Sequence, residues 1–164
     1  MKTRSAGLAL LLLSGLASAQ MEQPTGSVFP TQPPRIAAQA RLNYMLHCMG
    51  CHLPDGSGAP DKGIPDMRDM LGRFLALPGG RNFIVQVPGV MHSALSDQDI
   101  ALLMNWLLPK ISLTTLPPGT PPYTGFEIAE LRRHRPVDLP ATRKALIDQM
   151  AQISTKEVDI HRQH

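Results

Sequence analysis

Five consecutive residues, Cys48-Met49-Gly50-Cys51-His52, contain both cysteines of the chain. Two thiols three residues apart lie near one face of a helical turn, with an imidazole directly after the second. This C-x-x-C-H spacing is the attachment pattern of a c-type haem. The thiols add to the two vinyl groups of the ring as thioethers. His52 is then held under the ring and gives a nitrogen to the iron as proximal ligand. Three plainer readings compete: a short-loop disulfide, a redox dithiol, or half of a zinc site. A redox dithiol prefers a thioredoxin-like βαβ setting, and the flanking sequence shows none. Zinc wants four ligands, and His47 and His52 could join the two thiolates only in a crowded arrangement. The spacing therefore predicts one covalent haem c, with its iron.

The N-terminus bears on where such chemistry occurs. Residues 1–19 read as a secretory signal peptide: Lys2 and Arg4 supply the positive region, Leu8 to Leu16 the short apolar run, and Ala17-Ser18-Ala19 the small-x-small cleavage pattern. Cleavage is expected before Gln20. The apolar run is short for a membrane span, and no cysteine follows the cleavage site to carry a lipid. No stable membrane anchor is expected.

Without Lys2 and Arg4, the basic and acidic side chains nearly balance. The calculated pI of about 9.1 therefore makes no case for nucleic-acid binding. Aromatics are 4% of the residues, and there are 16 prolines. That composition predicts a small all-α core joined by irregular loops. A core so small is marginal, and a covalent haem would supply much of the buried apolar surface.

Residues 20–34, with Pro24, Pro30, Pro33 and Pro34, read as a flexible or extended lead-in. A helix is expected from near Arg35 into the motif, with Ala40 and Tyr44 on one face. Residues 53–66 are dense in turn formers. Short helices are expected over 67–76 and around Asn82 to Gln86. The clearest helix spans 96–108. Ser96 is its N-cap candidate, Asp97 and Asp99 lie in its first turn, and Ile100, Leu103, Met104 and Leu107 recur at helical spacing. Pro109 is expected to stop it. A stiff linker follows, Leu116 to Pro122. Thr124 and Glu127 form a capping box for a short helix ending in the basic run Arg132 to Arg135. A last helix is expected near 141–153.

Over about residues 36–108 the chain resembles the monohaem class I cytochromes c. Four pieces agree in order. Tyr44 stands where the family has its N-helix aromatic. Cys48-Met49-Gly50-Cys51-His52 follows. Ile64 to Arg73 looks like the family's Gly-Pro-x-Leu-x-Gly-x-x-Gly-Arg stretch, with Ile64 in place of the first glycine. A methionine then precedes Leu95 to Ile100 and a helix ending in Asn105-Trp106-Leu107-Leu108. The resemblance implies a class I cytochrome c fold over 35–109, with residues 110–164 as an added Pro-rich linker and helical extension. It also implies a periplasmic location, since haem is attached outside the cytoplasm in bacteria.

The resemblance further implies roles for single residues. The Pro65 carbonyl would accept the second ring N–H of His52, fixing the ring and raising its basicity. Met67 would pack beside the haem on the proximal side, and Arg73 would lie near a propionate. Met91, in the loop before the long helix, would be the sixth ligand. His92 and an open iron are the alternatives, and Met104 on the core stripe reads as filler. Tyr44 and Trp106 would meet where the first and long helices cross. The run Arg132 to Arg135 reads as a solvated helix end.

His/Met ligation raises the haem potential and leaves no open position for substrate. The function then implied is that of an electron carrier, not an enzyme. It would take electrons from a periplasmic dehydrogenase and pass them to an oxidase or another cytochrome. Two alternatives remain: a haem subunit of a larger oxidoreductase, and a sensor or peroxidase-like haem protein with an open distal site. Residues 110–164 are expected to bind no haem. Their apolar positions would be buried on the haem domain or on a partner.

Overall fold

In the computed structural model, residue 29 and residues 31–162 are described, with side-chain surroundings given to residue 154. The expected signal peptide, 1–19, and most of the lead-in lie outside the described residues. Seven α-helices occur among the described residues: α1 Pro34–His47, α2 Met70–Leu75, α3 Gly80–Gln86, α4 Pro88–Met91, α5 Asp97–Ile111, α6 Gly125–Arg133 and α7 Leu139–Arg162. There is no strand among them, only one isolated bridge between Ala59 and Ile64, closing a 3-10 turn at Pro60–Lys62. The chain is all-α.

Local chemistry places the helix starts. Pro34 opens α1 from N1, where its missing N–H costs no helical bond. Ser96 Oγ caps α5 by accepting from the Asp99 amide at 3.1 Å, and Asp97 and Asp99 sit in the first turn. Thr124 Oγ1 caps α6 by accepting from the Glu127 amide at 3.1 Å. The reciprocal half of that capping box is diverted, because the Glu127 carboxylate pairs with Arg81 of α3.

Pro109 does not stop α5. The helix runs two residues further, to Ile111. A proline deletes the bond from its own nitrogen to the carbonyl four residues back. At position 109 the bond lost is the one to the Asn105 carbonyl, and Leu108 and Ile111 on either side of the proline are buried in the core.

The core is one cluster. α1 crosses α5 with the Tyr44 and Trp106 ring centroids 6.0 Å apart and tilted at 49°. Ala40, 1% exposed, keeps that crossing close. Ile100, Leu103, Met104, Leu107 and Leu108 line the inner face of α5, and Phe74 and Phe83 join α2 to α3 at 5.1 Å. Gly72 lies so close to Thr115 that a Cβ there would collide with it. The Gly72 amide donates to the buried Ser112 Oγ. Asp69 holds a left-handed φ of 54°. Its amide, carbonyl and carboxylate are bound by Ile111, Thr115 and Thr114, contacts that hold an otherwise unfavourable conformation.

The extension packs onto this domain. Ile128 of α6 is fully buried, and Tyr123 and Leu146 nearly so. Asn105 of α5 donates to the Tyr123 carbonyl and accepts from the Tyr123 amide, at 2.9 and 2.7 Å. Of the two covers the sequence allowed for these apolar positions, the helical domain itself supplies this one. Among the described residues no helix is long and apolar enough to cross a membrane.

Candidate functional site

The last turn of α1 leads directly into the motif. The amides of Cys51 and His52 both donate to the Cys48 carbonyl, at 3.1 and 3.0 Å. This tight turn brings Cys48, Cys51 and His52 onto one wall of a cavity of about 540 Å³. That volume lies within the range of roughly 300–1,000 Å³ typical of small-molecule and cofactor sites. The opposite walls are apolar: Met70, Leu71 and Phe74 from α2, Phe83 and Ile84 from α3, Leu103, Met104 and Leu107 from α5. The segment Val87 to Val90 closes another side.

Tyr44 reaches the cavity from α1 and anchors the turn after the motif. Its hydroxyl donates to the Leu53 carbonyl at 2.7 Å. Burial pushes its pKa up to about 12, with smaller contributions from Cys48 and Asp55. Burial also pushes the Cys48 thiol up to about 11. Cys48 is half-buried and Cys51 exposed, and both are free thiols.

His52 carries the sharpest signal. Its Nδ1 is buried and has no hydrogen-bond partner. An unpartnered buried polar atom costs free energy. Burial lowers the ring's pKa, against opposing effects of a hydrogen bond to the Ser57 backbone and the Asp66 charge. The neutral imidazole is therefore favoured, with a lone pair available for a metal. The bond expected from His52 to the Pro65 carbonyl is not what satisfies Nδ1. The carbonyls of Ile64 and Pro65 lie against Gly58 instead, so close that a Cβ at position 58 would collide with both.

The donor set fits a covalently held haem. Two thiols and an imidazole share a wall, the remaining lining is mostly apolar with His47, Asp66 and Arg143 among it, and one ring nitrogen lacks a partner.

The remaining expected residues divide. Met67 lines the cavity, together with Met70 and Met104. Met91, the last residue of α4, is half-buried and is not among the lining residues. His92 is exposed. Arg73 is exposed and away from the lining, and the arginine that reaches it is Arg143 of α7. Leu139 and Pro140 of the same helix join it there. The extension, expected to bind no haem itself, supplies part of the lining. Nothing local in the sequence marks Arg143, since its place depends on how α7 folds back. Arg132 is no solvated helix end either. Its side chain is 22% exposed and ion-paired with Asp97 at 2.8 Å.

No family model matches the chain, and no curated protein and no solved structure matches it.

Proposed function

We propose that the chain is a periplasmic electron carrier: a class I c-type cytochrome with one haem on Cys48 and Cys51, His52 as proximal ligand and Met91 as sixth ligand. The observation that carries this reading is the shared wall. Both thiols and a His52 ring whose Nδ1 lacks a partner face one largely apolar cavity of cofactor size. The haem, when bound, supplies one-electron chemistry. The chain's own residues do the rest. Cys48 and Cys51 tether the ring, so it is not lost between partners. His52 is kept neutral by burial and presents its lone pair. The apolar walls from α2, α3 and α5 exclude water, and a low-dielectric surround is one of the levers on haem potential. Electrons would come from a periplasmic dehydrogenase and leave to an oxidase or another cytochrome.

The position of Met91 outside the cavity lining favours a second reading, a haem whose sixth position is open or exchangeable, as in a sensor or peroxidase-like protein. An absorption spectrum of the purified, reduced protein with and without carbon monoxide tests both. The carrier reading expects a spectrum that carbon monoxide leaves unchanged. The open-site reading expects a shift of the main absorption band on addition of the gas.

A further inference from the structure

Residues 91–95 are gathered around a single side chain from α6. Arg132 Nη2 donates to the carbonyls of Met91 and Ser93, at 3.1 and 3.0 Å. Its Nη1 donates to the Leu95 carbonyl at 3.1 Å and to Asp97 Oδ1 at 2.8 Å. Three alternate carbonyls of one loop thus converge on one guanidinium. Only a planar fork of several donors satisfies such a set, and a lysine ammonium is a point charge that does not.

The upstream end of the same segment is tied to the same place. Gln86 Nε2 donates to the carbonyls of Leu131 and His134, at 3.0 and 2.6 Å. Residues 86–97 are therefore fastened at both ends to the last turn of α6. Between the fastenings lie Val87 to Val90, which wall the cavity, and Met91.

We propose that Arg132 is a positioning residue for the haem site: by holding the 91–95 loop it fixes the cavity wall at Val87 to Val90 and the place of Met91, and so controls access to the sixth position of the iron. This rests on the haem reading above. The extension is on this account the strut of one wall of the site. Arg133, its neighbour, serves as a control, because it is exposed and among the described residues pairs with Glu130 in its own helix.

The test uses the full-length holoprotein and three variants, Arg132→Gln, Arg132→Lys and Arg133→Gln. Intact mass first establishes covalent haem, and circular dichroism establishes helix content. Carbon monoxide association with the ferrous protein and the reduction potential are then measured. The expected result is that carbon monoxide shifts the main absorption band of ferrous Arg132→Gln while leaving that of the wild type unchanged, because a loosened loop frees the sixth position. The potential should fall, Arg132→Lys should be intermediate, and Arg133→Gln should match the wild type. Should Arg132→Gln not fold, Arg132→Lys decides alone. Haem-bearing Arg132 variants whose response to carbon monoxide and potential match the wild type overturn the inference. A wild type without covalent haem overturns the reading beneath it.

Discussion

Arg81 of α3 grips Glu127 of α6 through two parallel hydrogen bonds of 2.6 and 2.7 Å while lying 3.9 Å from the centroid of the Tyr123 ring. The same guanidinium donates to the carbonyls of Pro121 and Pro122, and the Tyr123 hydroxyl donates to the Arg81 carbonyl at 2.7 Å. One residue of the helical domain thus receives the linker, its aromatic and the first turn of α6. Both charged side chains are under a third exposed, so the pair is screened less than an open surface bridge.

Arg81→Ala should therefore destabilise the protein by about 2–3 kcal/mol, the cost of leaving a partly buried carboxylate and its neighbours without donors. Chemical unfolding measures this. A double-mutant cycle with Glu127→Gln should give a coupling of about 1–2 kcal/mol. A coupling near zero would mean that the Arg81–Glu127 pair contributes nothing to holding the extension.

Ile128 is fully buried under the domain. Ile128→Ala should cost about 2–5 kcal/mol, the usual range for such a core truncation. A chain ending at Pro109 loses Ile111, Tyr123, Ile128 and Leu146 together, all of them core residues. It should unfold at a lower temperature and less cooperatively than the whole chain. Equal melting curves for the two chains would show that the extension contributes nothing to stability.

Tyr44 gives the protein an alkaline limit. Burial raises its folded-state pKa from 10.0 to about 12, so the folded protein holds that proton more tightly than the unfolded chain. The resulting stabilisation is present in full below pH 10 and is lost as pH rises from 10 toward 12. Stability measured across that window should fall, and Tyr44→Phe should flatten the fall. Tyr123, whose pKa burial also raises, is untouched by that variant and keeps a residual slope. A tyrosine ultraviolet titration that finds no phenol ionising above pH 11 contradicts this assignment.

The two thiols should differ in reactivity in the haem-free chain. Cys48 is half-buried and its thiol titrates near 11, while Cys51 is exposed. The thiolate is the reactive form. Iodoacetamide at neutral pH, followed by peptide mass analysis, should label Cys51 well before Cys48. Equal rates would mean that the turn opens freely.

What was legible in the sequence was local. The caps at Ser96 and Thr124, the period of α5 and the C-x-x-C-H turn each declare themselves within a few residues, and the structure has them where those signals put them. The crossing of Tyr44 and Trp106 came from the family resemblance. What the sequence hid lies in contacts 35 to 48 residues apart. The fastening of Arg132 to the 91–97 segment, of Gln86 to the end of α6 and of Arg81 to Glu127 leave no periodic or capping signature. Arg132 sits in a basic run at a helix C-terminus, where a solvated cation is the ordinary outcome. Its three carbonyl partners are backbone, which no residue type betrays. Arg143 at the cavity is hidden for the same reason.

Covalent haem on Cys48 and Cys51 is decided by the intact mass of the denatured protein, purified from a bacterial periplasm able to attach haem c. The expected mass is that of the polypeptide plus one haem, surviving denaturation, with both cysteines resistant to alkylation. A mass of polypeptide alone, with Cys48 and Cys51 as free thiols or joined in a disulfide, would contradict it.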